Sequence, residues 1–165
     1  MFWSSKLKKK PYWTNKLFLF FSDFLKLFLK AIVEKIDVKL KVINELAEIN
    51  KENTIYASNT SSIPLTQIAA GFKYPKKMIG IHFFNPAHIM KLVEVILAEQ
   101  TSAEVLDMAT NYVSSIQKRC IIAADSPGFI VNRVARHFYV EGLKILEEDV
   151  ASHEKEWDEI NRGRL

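Results

Sequence analysis

Met78-Ile79-Gly80-Ile81-His82-Phe83-Phe84-Asn85-Pro86-Ala87-His88-Ile89-Met90-Lys91-Leu92-Val93-Glu94-Val95-Ile96 decides how this chain folds. Met78 to Phe83 reads as a strand, and so does Lys91 to Ile96; Asn85-Pro86 marks a turn between them. The turn lays the strands side by side and brings His82 near Glu94, twelve residues later. A carboxylate that orients an imidazole and supports its charged form makes a general base at neutral pH. The same spacing also serves structural pairs, so the wider sequence has to choose between the two uses.

Working upstream, Thr54 to Ala57 is a short β-rich run closing in the polar turn Ser58-Asn59-Thr60-Ser61-Ser62. Pro64 suits the first turn of a helix that stops at Gly71. Glu34 to Asn50 repeats apolar residues at helical spacing (Ile36, Leu40, Ile43, Leu46 or Ala47, Ile49 or Asn50), with Asp37 and Lys41 as an i,i+4 pair. Downstream, Thr101 and Glu104 offer a capping box for a helix to about Ile116. Cys120 to Ala123 is a brief apolar strand, stopped by Asp125-Ser126-Pro127-Gly128, and Phe129 to Glu148 reads as a long helix. Strands alternating with helices predict an α/β fold with a largely parallel sheet.

The chain of 165 residues is one-domain in length, and 48% hydrophobic with 25% charged residues fits a globular protein. One cysteine, Cys120, excludes an internal disulfide and gives no zinc site, so no metal is expected and a cytoplasmic setting is. The net charge of +4 is uneven: residues 1–30 hold seven lysines and one acid, Asp23. The rest is weakly acidic, which gives no expectation of nucleic acid binding. The apolar run Leu17 to Leu29, interrupted by Asp23 and Lys26, is too short to span a bilayer. Phe18, Phe21, Leu25 and Phe28 would share one face of an interfacial helix; the competing reading is a segment foreign to the rest of the protein.

Four stretches in order, Ser58 to Ser62, Gly80 to Pro86, Met90 to Val95 and Asp125 to Arg133, together resemble the 3-hydroxyacyl-CoA dehydrogenase family, including its 3-hydroxybutyryl-CoA members. The spacing agrees over more than a hundred residues, from Ala31-Ile32-Val33-Glu34 onward. The resemblance implies NAD-dependent oxidation of a 3-hydroxyacyl-CoA to a 3-ketoacyl-CoA, in fatty-acid or butyrate metabolism. By residue it implies His82 as the base, Glu94 as its carboxylate partner, and Ser61 and Asn132 as groups that position substrate and cofactor. Asn85, Glu34, Lys39 and Ser61 match cofactor-contacting positions.

Each residue also has a structural reading. Ser61 and Asn59 could cap a helix or close the turn. Asn132 and Lys39 could be solvated, and Glu34 an early helix acid. Met90, Phe83 and Phe84 read as core, Cys120 as a buried thiol, and His88 and His137 receive no role.

Relatives open with a strand, a Gly-x-Gly-x-x-Gly turn and a helix, whose backbone amides hold the NAD pyrophosphate. The five glycines here stand at 71, 80, 128, 142 and 163. The expectation is therefore the C-terminal part of a Rossmann-type NAD-binding domain with a long following helix. It would lack the glycine-rich first βαβ unit and the helical C-terminal domain through which relatives dimerise. The expected divisions are 1–30 foreign to the family, 31–127 partial NAD-binding domain, 128–152 linker helix and 153–165 foreign tail. A truncated enzyme with little activity alone, one half of a split enzyme, and a membrane-surface protein anchored by residues 1–30 are the competing outcomes.

Overall fold

A computed structural model of the chain describes residues 34–50 and 54–150, and the backbone of 27–30. Five strands form one sheet in sequential order: β1 (Leu27–Lys30), β2 (Ile55–Ser58), β3 (Met78–Phe83), β4 (Leu92–Leu97) and β5 (Arg119–Ala124). Pairing is parallel between β1 and β2, β2 and β3, and β4 and β5, but antiparallel between β3 and β4. The sheet thus reverses once, at the loop between β3 and β4.

Helices α1 (Ile36–Ile49) and α2 (Leu65–Ala70) connect β1 to β2 and β2 to β3; α3 (Ala103–Ser115) connects β4 to β5. Parallel crossovers are right-handed, so reversing the strand direction moves the crossover helix to the opposite face of the sheet. The core divides accordingly. Ile43, Ala47, Leu65, Ile68 and Phe72 pack on Tyr56, Met78 and Ile96, whereas Val105, Ala109, Tyr112 and Val113 pack on Ile55, Ile79, Ile81, Val93 and Val95. Along β3, Met78, Gly80 and His82 face α1 and α2 while Ile79 and Ile81 face α3, the period-two alternation of a strand covered on both faces.

Several local expectations are corrected. Ser102, not Thr101, caps α3 and accepts from Val105 N; Thr101 Oγ1 instead accepts from Ala98 N at 3.0 Å and donates to the Met78 carbonyl at 2.7 Å. Thr101 is drawn inward to satisfy a strand carbonyl, leaving the cap to its neighbour. Asp37 and Lys41 are both exposed and form no ion pair among the described residues, while Ile49, on the expected apolar face, is exposed at the end of α1. Cys120 is only half-buried, because β5 is the sheet's last strand.

The chain divides into two units, residues 1–129 and 130–165. The described part of the second, residues 130–150, is mostly helix α4 (Val131–Glu147), in which no residue is buried. β1 and its backbone pairing with β2 fall within the segment that the sequence set apart as 1–30. Phe28 is in that strand rather than in an interfacial helix, whereas Phe18, Phe21 and Leu25 lie outside the described residues. No helix among the described residues is long and apolar enough to cross a membrane.

Candidate active site

β1, β2 and β3 run the same way, so their carboxyl ends meet at one edge of the sheet, where open α/β folds bind ligands. Glu34 follows β1, Asn59 to Ser61 follow β2, and His82 to Asn85 end β3. Since β4 starts where β3 stops, Glu94 comes to the same edge from the opposite direction.

His82 and Glu94 are register partners, and His82 Nδ1 lies 2.8 Å from Glu94 Oε2. Their side chains are 7% and 0% exposed. A carboxylate can only accept, so Nδ1 carries the hydrogen and Nε2 is left as the basic nitrogen. Two rings limit the imidazole further, Phe84 at 4.8 Å and Phe129 at 5.7 Å between centroids, both edge-on. Phe84 is therefore not the plain core residue expected from sequence. Phe129 is buried with φ of 48°, in the left-handed region that costs a non-glycine residue roughly 1–2 kcal/mol.

The second cluster centres on Glu34. Its Oε1 accepts from Ser61 N at 2.7 Å, Thr60 Oγ1 at 2.9 Å and Ser61 Oγ at 3.4 Å. Its Oε2 pairs with Lys39 Nζ at 2.7 Å. Burial pushes this carboxyl up, but the Lys39 and Ser61 hydrogen bonds, the Lys39 charge and the Thr60 hydroxyl outweigh it and hold it below the usual range. Lys39 is 4% exposed, so it is not the solvated charge of the alternative reading, and Glu34 precedes α1 instead of sitting in its first turn.

The remaining expected residues are less tightly held. Asn85 is exposed on the turn beyond β3 and makes no hydrogen bond among the described residues. Asn132 stands on the first turn of α4, in the second unit. His88 is exposed on its loop, and Met90, expected in the core, is 39% exposed.

Two residues, Lys118 and Asp125, take roles that the sequence did not suggest. Lys118 Nζ donates to the carbonyls of Ala87 at 2.6 Å and Met90 at 2.8 Å, clamping the turn that carries Asn85. Asp125 accepts from Leu65 N at 2.9 Å and Thr66 N at 2.7 Å, capping α2 from sixty residues away. Neither partnership has a local sequence signal, since both depend on the reversed strand β5 meeting earlier turns.

No group of metal-ligating side chains is present among the described residues. For a nicotinamide dinucleotide the fit is divided. The carboxylate, hydroxyl and amide side chains of Glu34, Ser61 and Asn85 suit the polar groups of a nicotinamide riboside. No Gly-x-Gly-x-x-Gly turn stands in these 165 residues to cradle a pyrophosphate.

The chain is similar to known proteins in sequence and in fold. The chain is 44% identical over 128 residues to 3-hydroxyadipyl-CoA dehydrogenase of Escherichia coli (strain K12), covering 78% of this chain and 27% of that protein. It is 43% identical over 129 residues to 3-hydroxybutyryl-CoA dehydrogenase of Clostridioides difficile, covering 78% and 46%. The fold superposes on the crystal structure of (S)-3-hydroxybutyryl-CoA dehydrogenase from Ralstonia eutropha with a TM-score of 0.75 and 38% identity, over 79% of this chain and 46% of that one. The chain thus spans less than half the length of each of these relatives. Residues 23–126 match the profile of the 3-hydroxyacyl-CoA dehydrogenase NAD binding domain, more than half of the chain, and by that match the protein belongs to the 3-hydroxyacyl-CoA dehydrogenase family.

Proposed function

We propose that this chain supplies the proton-abstracting side of an NAD-dependent 3-hydroxyacyl-CoA dehydrogenase, which forms the 3-ketoacyl-CoA. The observation that carries the reading is the buried His82–Glu94 pair at the edge where β1, β2 and β3 end. With Nδ1–H held by Glu94, Nε2 accepts the proton of the substrate 3-hydroxyl. The positive charge that the imidazole then gains is met by the carboxylate behind it. NAD, when bound, supplies the hydride acceptor for C3. Glu34 fixes the Ser61 amide and hydroxyl, so that Ser61 offers a placed polar group to substrate and cofactor. Phe84 and Phe129 hold the imidazole against rotation and exclude water from its edges. A single cysteine, which allows no internal disulfide, fits a cytoplasmic setting for the reaction.

A chimera tests the reading. The matching stretch of the Clostridioides difficile enzyme is replaced by the one from this chain, and NADH formation from 3-hydroxybutyryl-CoA is followed. The chimera should be active, and His82→Ala in it should lower kcat by roughly 10²- to 10⁴-fold, the usual contribution of a general base. A folded chimera that forms no NADH, or whose rate is indifferent to His82, overturns the reading.

A further inference from the structure

β2 pairs with β3 only as far as Ser58 with Gly80; beyond that rung the β2 chain turns away into Asn59 to Ser62. Among the described residues, the last part of β3, which holds His82, therefore has a strand partner on its β4 side only. An amide left without an acceptor at such a place costs free energy when it is shielded from water. The Phe83 amide is not left so. It donates to Asn59 Oδ1 at 2.8 Å, so a side chain continues the ladder after the main chain has departed.

The position of this bond matters more than its strength. The N–H of Phe83 belongs to the peptide unit that also contains the His82 carbonyl. Fixing that planar unit fixes ψ of His82 and with it the direction in which the imidazole leaves the backbone. His82 is thereby tethered twice, at its ring by Glu94 Oε2 and at its backbone by Asn59 Oδ1. Asn59 also begins the turn whose Ser61 is held by Glu34, so one side chain joins the Ser61 turn to the strand end that presents the base.

We infer that Asn59 is a positioning residue for the His82 imidazole, acting through the Phe83 amide and setting His82 relative to the Ser61 turn. The inference rests on the reading of His82 as the base. A backbone N–H donor requires the oxygen of the Asn59 amide, not its nitrogen, which makes the contribution separable by substitution. Asn59→Asp keeps an acceptor at the same place, and Asn59→Ala removes it.

The test uses the isotope-labelled full chain without substrate. Solvent exchange is measured at the Phe83 amide, at the His82 Nδ1–H and at the core amide of Val95. Asn59→Ala should accelerate exchange of the first two protons by roughly tenfold, the effect of losing about one hydrogen bond, and leave Val95 unchanged. Asn59→Asp should stay within roughly threefold of the parent at both protons, since the bond is retained. A folded Asn59→Ala chain whose His82 Nδ1–H exchanges at the parental rate overturns the inference. If Asn59→Ala does not fold, Asn59→Asp decides alone: parental rates at both protons support the inference, and faster exchange at either overturns it. Because no turnover is involved, this experiment can fail while the chimera above remains active, and the chimera can fail while this one succeeds.

Discussion

A Cβ placed on Gly80 would lie 2.8 Å from the Cβ of Ile96, two residues along the same face from the His82–Glu94 pair. Neither atom can move without moving a strand. Gly80→Ala should therefore destabilise the chain by about 1–3 kcal/mol, the usual cost of overpacking a tight core. Gly71→Ala meets Leu40 Cδ1 at 2.7 Å, an equally short contact, but with the far end of a flexible side chain. It should cost under about 1 kcal/mol as Leu40 takes another rotamer. Urea denaturation of the two variants checks the order, and an equal loss in both would refute the argument.

The pair itself was legible from the sequence because its geometry is local: two consecutive strands joined by a short loop put residues 82 and 94 in register. The α/β class was legible for a similar reason, strand and helix periods alternating along the chain. What was not legible depends on contacts that no period encodes. Lys39 looks like any helix lysine until Glu34 is seen against the β2 turn. Phe129 looks like the start of a helix until its backbone enters the left-handed region and its ring meets His82. Thr101 fits a capping pattern as well as Ser102 does, and only the Met78 carbonyl decides between them.

Two substitutions of Glu94 should have unequal consequences. Glu94→Ala leaves the imidazole without its acceptor and opens a cavity in a side-chain site that is 0% exposed, and should cost about 3–5 kcal/mol. Glu94→Gln keeps the shape and an acceptor oxygen but not the charge, and should cost less than about 2 kcal/mol. In the chimera, Glu94→Gln should still lower kcat by roughly a hundredfold, because the neutral amide no longer meets the charge gained by His82. Unchanged kcat with lowered stability would leave Glu94 a purely structural partner.

Lys118 offers a separate handle on the turn beyond His82. Its ammonium joins the Ala87 and Met90 carbonyls, and within the same turn Ile89 N and Met90 N both donate to the Pro86 carbonyl at 3.0 Å. Lys118→Met keeps the side-chain length and removes the donors. The cost should be about 1–2 kcal/mol, at the modest end for charge-assisted bonds because the group is only half-buried. Exchange of the Ile89 and Met90 amides should quicken while that of Val95 does not. Equal protection in variant and parent would show that the turn holds without the lysine.

Stability should fall at both ends of the pH scale, for opposite reasons. Glu34 is held below its ordinary value of 4.5, so the folded chain protonates there less readily than the unfolded one. Its contribution is present above about pH 4.5 and is lost as pH falls through the folded value, where protonation cancels the attraction to Lys39. With its side chain 34% exposed, solvent screening keeps the contribution small. Cys120 and Tyr112 behave in reverse: burial pushes the thiol above 9.0 and the phenol above 10.0. Folding favours their neutral forms, and that preference is complete below those ordinary values and lost as pH rises through the raised ones. Urea midpoints measured across the range should show both declines. Glu34→Gln should flatten only the acid limb and Cys120→Ala only the first part of the alkaline one. An acid limb unchanged by Glu34→Gln would show that the Ser61 turn does not depend on this carboxylate's charge.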